Sequence, residues 1–531
     1  MARSPVILPD VEGVSLIALV LGSLAVTAAC RRFRVSPTLV LVLAGIAVSF
    51  IPGIPDFRLN PDVVLLVVLA PLLYSAALDS SYHGFRTNLR PIGLLAVGLV
   101  IFSTVTIGLA AWWLIPGLSL PAGLVLGAVV APPDAVAAIA VGRRLGLPRR
   151  VMTILAGESL VNDATALTLF RVAVAAAAGA GISLWSGIGI FVLAGVGGVA
   201  VGLAVAWLVH WVRVRLNDPP IESALGLVVP FGVYLIAEAV HASGLLAVVV
   251  TGLYLGHRAP QTGFATRLQD DAVWKASDTV LESVVFALIG LQLTSVVSEV
   301  GAVGPLLLTG VGLTLVTVLA RVVWLFPATY LPRLIPAVRR RDPFPTWQTP
   351  AVISWAGMRG VVSLAAAFAI TPGVPDREKL VFLAFFITVG TLLLHGLTLP
   401  WLIRTLGVHG AETQADALAE AAAQHAAGRA AVARLDELAG EANGEVASHS
   451  VQKLRYLAQM RKNTSWERLG RPAEETGESP TSAYRRLRRE MVAAERETFV
   501  QYRDDGRIDD EVLRRVMREL DLEEAMLSRE D

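Results

Sequence analysis

The residues of this sequence that could do chemistry lie where charge is least welcome. Gly157-Glu158-Ser159-Leu160-Val161-Asn162-Asp163-Ala164-Thr165 sits inside an apolar stretch over 151–178. On a helix, residues four apart are neighbours, so Ser159 stands beside Asp163 and Glu158 beside Asn162. One stripe presents a hydroxyl and a carboxylate, the other a carboxylate and an amide. Oxygen ligands of this kind suit a hard monovalent cation. A carboxyl taken out of water favours its neutral form, so the same group can hold a proton near neutral pH. A site that takes a proton or a cation, one at a time, is the minimum machinery for exchanging them. Asp134 joins this picture because it follows Ala131-Pro132-Pro133, where a broken helix frees carbonyls that could complete the coordination.

These side chains need a frame that crosses a bilayer, and the composition supplies one. Of 531 residues, 54% are apolar and 17% charged, with a mean hydropathy of +0.61. Residues 1–403 carry 44 charged residues with a net of +6, whereas 404–531 carry 45 with a net of −5. The first part is too apolar for water and the second has an ordinary soluble composition. One cysteine, Cys30, rules out a disulfide framework within the chain and a Cys-based zinc site. The near-zero net charge gives no footprint for nucleic acid. No Gly-rich phosphate loop or nucleophile constellation is present, so the sequence does not read as an enzyme or as a cofactor-binding protein. The first apolar run follows Asp10 and Glu12 and precedes arginines, the reverse of a secretory signal, and reads as a retained span.

A crossing helix needs about 20 apolar residues. Thirteen candidates lie near 12–30, 36–52, 61–78, 91–114, 121–142, 151–178, 183–211, 221–239, 242–256, 276–297, 303–330, 348–371 and 379–403. Loops after odd-numbered spans hold 18 Arg and Lys, among them Arg31, Arg32, Arg34, Arg86, Arg90, Arg143 and Arg150. The other side holds four: Arg3, Arg58, Arg377 and Lys379. By the positive-inside rule the N-terminus is outside and the tail cytosolic. Trp112, Trp113, Trp185, Trp211 and Trp401 near span ends read as an aromatic belt. An odd count fits two six-helix halves of opposite orientation joined by a linking helix, an arrangement that puts a binding site at mid-membrane. The fifth member of each half is interrupted, at Ala131-Pro132-Pro133-Asp134 and at Ala356-Gly357-Met358-Arg359-Gly360.

Charge at mid-bilayer costs roughly 2.5–3.5 kcal/mol per residue, so each deep ionisable residue needs a partner, a wet cavity or a function. Arg359 is the one deep basic residue of the second interrupted span, so Glu158–Arg359 is the expected ion pair between the two broken regions. Blander readings go to the others: Glu238 and His241 are interfacial, Arg321 and Arg171 pair or snorkel, and His210 and His395 belong to the core or interface. A purely structural role for Asp163 and Asp134, each paired to the other's neighbours, is the bland alternative to ion binding.

Glu158-Ser-Leu-Val-Asn162-Asp163-Ala-Thr resembles the signature of the monovalent cation:proton antiporter-1 family, the sodium/proton exchangers. So do Pro133-Asp134-Ala-Val-Ala, Gly357-Met-Arg359-Gly360, Glu238-Ala-Val-His241-Ala-Ser243-Gly244 and Phe286-Ala-Leu-Ile-Gly290-Leu-Gln-Leu. The resemblance implies an all-α polytopic fold working as a dimer in lipid. It implies a core domain (91–180 and 301–405) that moves against a scaffold (1–90 and 181–300), followed by a helical tail over 406–531. It also implies that Asp163 binds proton and cation, with Asp134 and Ser159 as co-ligands, Asn162 and Pro133 in support, and Glu158–Arg359 as the structural pair. Asn162 before Asp163 implies one-for-one, electroneutral exchange. Glu282 aligns with an acidic position of the animal exchangers and is a candidate for the cytosolic funnel. Two positions depart from the pattern: Pro133 stands where the family often has Thr, and Ser75 where many bacterial members have Glu.

The expected activity is therefore sodium/proton antiport in a bacterial inner membrane, with potassium or lithium as other cargo and a cation channel or ion-sensing transceptor as the rival class. In the tail, 411–440 reads as an Ala-rich helix, 470–483 as linker, and the chain from Arg485 as helix, with Val512, Leu513, Val516, Met517 and Leu520 forming an apolar face. The tail is expected to pack and support a dimer, or to bind a regulatory partner.

Overall fold

The computed structural model describes residues 9–33, 35–52, 61–179, 184–216, 218–300, 303–342, 344–410, 412–441, 449–458, 480–505, 507–508 and 510–528. Arg3, Arg34, Arg58 and 470–479 of the expected linker lie outside them; 480–483 already belong to a helix, Pro480–Asp504. Helices and turns account for the described residues, which contain no strand. The chain forms two compact units, Met1–Gly410 and Ala411–Asp531.

In the first unit each expected span overlaps helix in its described residues. Nine helices among the described residues are long and apolar enough to cross a membrane, including Leu89–Leu114, Arg149–Ala177 and Arg377–Leu406. Pro37–Ser49 and Gly244–Arg258 are shorter. The fifth and twelfth spans are each two half-helices, Leu120–Val130 with Val136–Leu145 and Gln348–Trp355 with Val361–Phe368. The tenth differs most from expectation: it begins at Phe264 rather than near 276. Arg267, Asp270, Asp271 and Lys275 made that stretch read as a loop. Its charges are instead held by neighbours, with Arg213 3.3 Å from Asp270 and Lys275 2.7 Å from Asp271.

Leu16, Leu193, Leu308 and Leu397 stay exposed, as a lipid-facing surface requires. Lipid tails leave no hydrophobic drive between helices, so close contact rests on small residues. Gly45 and Gly290 show this: a Cβ on either would meet the backbone of the facing helix. Leu89–Leu114 packs on Leu120–Val130, Val303–Tyr330 and Arg149–Ala177, whereas Leu184–Leu216 packs on Gly244–Arg258, which packs on Pro61–Leu78.

Outside the spans, Asp342 ties three arginines together. It accepts from Arg150 at 2.6 Å, from Arg333 at 2.8 Å and from Arg90. Burial alone would raise its carboxyl, but the Arg150 and Arg333 hydrogen bonds and charges prevail and hold it below the usual carboxylate range. A depressed carboxylate stabilises the fold above its unfolded pKa, and that stability is lost as pH falls through the folded value. Asp342→Asn should therefore lower the unfolding temperature in detergent by a constant amount above about pH 5, with the gap to wild type closing below about pH 4. A gap that widens on acidification would contradict this ion cluster.

In the second unit, Glu412–Glu441 is helical, and Pro480–Asp504 packs on Asp510–Ser528 with Val492 and Leu520 buried. Arg488 donates to both oxygens of Glu523 at 2.7 Å and holds that carboxyl below its ordinary range. Arg496 reaches Asp521 and Glu524 at 2.8 and 2.6 Å.

Candidate functional site

The two interrupted spans meet at their breaks. The Asp134 amide donates to the Met358 carbonyl at 2.6 Å, joining the unwound segments directly. Pro132 and Pro133 end the first half-helix because proline has no amide to donate and forbids the helical conformation before it. Asp134 then starts the second half-helix: its Oδ1 accepts from the Val136 amide at 2.9 Å. Asn162 braces the break, its Nδ2 donating to the Pro133 carbonyl at 2.7 Å, and the Ser159 hydroxyl accepts from the Ala135 amide at 3.5 Å.

Gly360 is needed where the second break presses on the first, since a Cβ there would land on the Asp134 carboxylate. Gly360→Ala should cost about 1–3 kcal/mol of stability through overpacking and should also weaken cation binding. Gly232→Ala, in open space within Pro219–Ala239, should do neither. Equal unfolding temperatures for the two variants would refute the close approach.

Asp163 lies on the long helix Arg149–Ala177, one turn beyond Ser159, and is 6% exposed. The charge that acts on it is that of Asp134, and no described residue donates a hydrogen bond to its carboxylate. Two neighbouring carboxylates without a basic partner make a strongly negative spot. Among the described residues no group of three or more His, Cys, Asp or Glu could hold a resident metal. Two carboxylates and a hydroxyl instead suit a guest of single charge.

The expected Glu158–Arg359 pair is not what forms. Glu158 is held by Arg321, whose Nη1 and Nη2 reach the two carboxylate oxygens at 2.5 and 2.9 Å, with both residues 1% exposed. Arg321 also donates to the carbonyls of Ser354 and Ile353 at 3.1 Å, the last turn of half-helix Gln348–Trp355. Arg359 does the same for the other half-helix. It donates to Val130 at 2.8 Å, to Ala131 at 3.4 Å and to its own neighbour Gly357 at 2.5 Å. A helix C-terminus ending in hydrocarbon exposes carbonyls and the negative end of the helix dipole. One buried arginine satisfies each. Arg321 has the additional reach to Glu158 because Val303–Tyr330, which carries it, packs against Gln348–Trp355. Both arginines were visible as deep charges; nothing in the sequence ranks them as partners of one glutamate.

Glu282 lines a cavity of about 290 Å³ together with Thr27, Arg31, Val136, Arg144 and Thr279. Val136 is two residues from Asp134, so the cavity reaches the first broken helix. Sequence reasoning passed over Asp278, which accepts from the Ser75 hydroxyl at 2.6 Å. Arg171, expected to pair or snorkel, pairs with Glu238 at 2.8 Å.

An all-helical, multi-pass membrane protein whose broken helices cross beside paired carboxylates is the class that fold and site define. The chain belongs to the sodium/hydrogen exchanger family: the model of the transmembrane sodium/hydrogen exchanger domain matches residues 16–405. An uncharacterised Na+/H+ exchanger of Mycobacterium tuberculosis is 33% identical over 97% of this chain and 96% of its own length. The Na+/H+ antiporter ApNhaP of Aphanothece halophytica is 32% identical over 76% of each chain. Among solved structures, the sodium proton antiporter MjNhaP1 of Methanocaldococcus jannaschii shares the fold. It superposes with a TM-score of 0.59 at 18% identity, over 74% of this chain and 98% of its own.

Proposed function

We propose that this protein is a secondary-active antiporter that exports a monovalent cation, sodium foremost, in exchange for an inward proton, one for one. The observation that carries the reading is the Asp163 carboxylate, buried beside Asp134 where two interrupted helices cross, with no described donor of its own. Such a group needs a positive guest. Proton and sodium each bring one charge, and only one fits at a time. Asp134 and Ser159 serve as co-ligands, and Asn162 holds the Pro133 carbonyl in place.

Carrying an empty charged site through the bilayer is costly, so a core of 91–180 and 301–405 moves past a scaffold of 1–90 and 181–300 only when Asp163 is loaded. That single rule couples the two fluxes without a separate gate. The cavity beneath Glu282 supports an inward-facing state, with Arg31 and Arg144 at its lining on the cytosolic side. Asp278, held by Ser75, supplies a further funnel carboxylate on Phe264–Leu291. We place two such chains as a dimer in the inner membrane, N-termini outside and tails in the cytosol.

The test is a proteoliposome holding an imposed proton gradient. Sodium addition should collapse it at a rate indifferent to a clamped membrane potential. A gradient untouched by sodium, lithium or potassium would sink antiport; cation flow with no proton counterflow would make the protein a channel; a potential-dependent rate would end the one-for-one claim. Comparing the three cations across pH ranks the cargo.

A further inference from the structure

A second charged site lies apart from Asp163. Three separate stretches of chain, 86–91 before Leu89–Leu114 becomes apolar, Arg150 at the start of its helix, and 337–342 before the second broken span, close around a pocket of about 890 Å³. Among the described residues four arginines line it, Arg86, Arg90, Arg150 and Arg340, against one carboxylate, Asp342. Asp342 is already committed to Arg90, Arg150 and Arg333. Arg150 is further oriented by Asn88, whose Oδ1 accepts from its Nε at 3.2 Å. Arg86 and Arg340 are exposed and form no ion pair with any described residue.

An excess of guanidinium groups facing one space repels itself unless an anion enters. The arginine fork matches phosphate oxygens two at a time, and the volume is that of a small-molecule site. Asp342 explains how the pocket stays built when empty, because one negative charge fixes two wall arginines and a third behind them. The three stretches follow the third, fifth and eleventh spans, on the face where positive charge accumulates and where anionic headgroups are met. We infer that this pocket binds a phosphate-bearing anion, supplied by an anionic phospholipid headgroup or by a soluble phosphate compound, and that the bound anion staples the three stretches together.

The experiment uses the full chain in detergent and follows its unfolding temperature against cardiolipin, phosphatidylcholine and inorganic pyrophosphate. Wild type should be stabilised by cardiolipin or by pyrophosphate and not by phosphatidylcholine; whichever acts identifies the source. R86Q/R340Q, which leaves every Asp342 contact intact, should weaken the apparent affinity about tenfold, as expected for lost charge-assisted contacts. R86K/R340K keeps the charge but loses the fork and should fall between. Sodium–proton exchange by both variants in phosphatidylcholine liposomes should match wild type. Stabilisation by neither anion, equal stabilisation by phosphatidylcholine, or undiminished affinity in R86Q/R340Q would overturn the site.

Discussion

Asp163→Asn should reduce sodium-driven collapse of a proton gradient to the level of protein-free liposomes, while the protein becomes no less stable than wild type. The two halves of this expectation separate function from structure. Asparagine keeps the shape of the side chain but cannot bind a proton or balance sodium. A carboxylate that serves the fold has partners, and losing it leaves them unsatisfied at about 1–3 kcal/mol each. Asp163 has no described donor and faces the charge of Asp134, so neutralising it removes an unfavourable buried charge. An inactive variant with a raised unfolding temperature marks a site kept at a cost to stability. Persisting exchange, or an inactive variant that no longer folds, would each contradict the role assigned to Asp163.

The second large effect concerns Glu158 and Arg321. Removing one partner of a buried ion pair typically costs about 3–5 kcal/mol because the other charge is left unpaired. Arg321→Ala should therefore abolish accumulation of folded protein or sharply lower its unfolding temperature. Arg359→Ala is also harmful, since it uncaps Val130 and Ala131, but it leaves Glu158 paired. A double-mutant cycle distinguishes the two: Glu158→Gln should couple to Arg321→Ala by about 2–3 kcal/mol and to Arg359→Ala by less than about 1 kcal/mol. A larger coupling to Arg359 would restore the pairing expected from the motif alone.

That reversal shows where reading the chain reached its limit. Hydropathy runs place the helices because crossing a bilayer is a local requirement on about 20 consecutive residues. Pro132-Pro133 mark the first break for an equally local reason, the helical conformation they refuse, whereas Gly357 and Gly360 mark the second only as missing side chains, whose need arises from Arg321 and Asp134 pressing on them. Asp163 is legible because an acid amid apolar neighbours must be justified wherever the helix ends up. The start of Phe264–Leu291 was hidden because Asp270 is neutralised by Arg213 and Thr266 donates to Glu222, residues of other helices.

Partnerships have no such local signature. Glu158 and Arg321 are 163 residues apart, and their contact exists because Val303–Tyr330 lies against Gln348–Trp355. The capping of both half-helices, the Ser75–Asp278 bond and the arginine pocket likewise arise between segments distant in sequence. Membrane class, broken helices and the buried carboxylate Asp163 thus follow from residue types and their order, since each is a cost borne within one segment. Which arginine neutralises which acid was settled only by tertiary packing, because the energy of a buried charge depends on whatever helix is brought beside it.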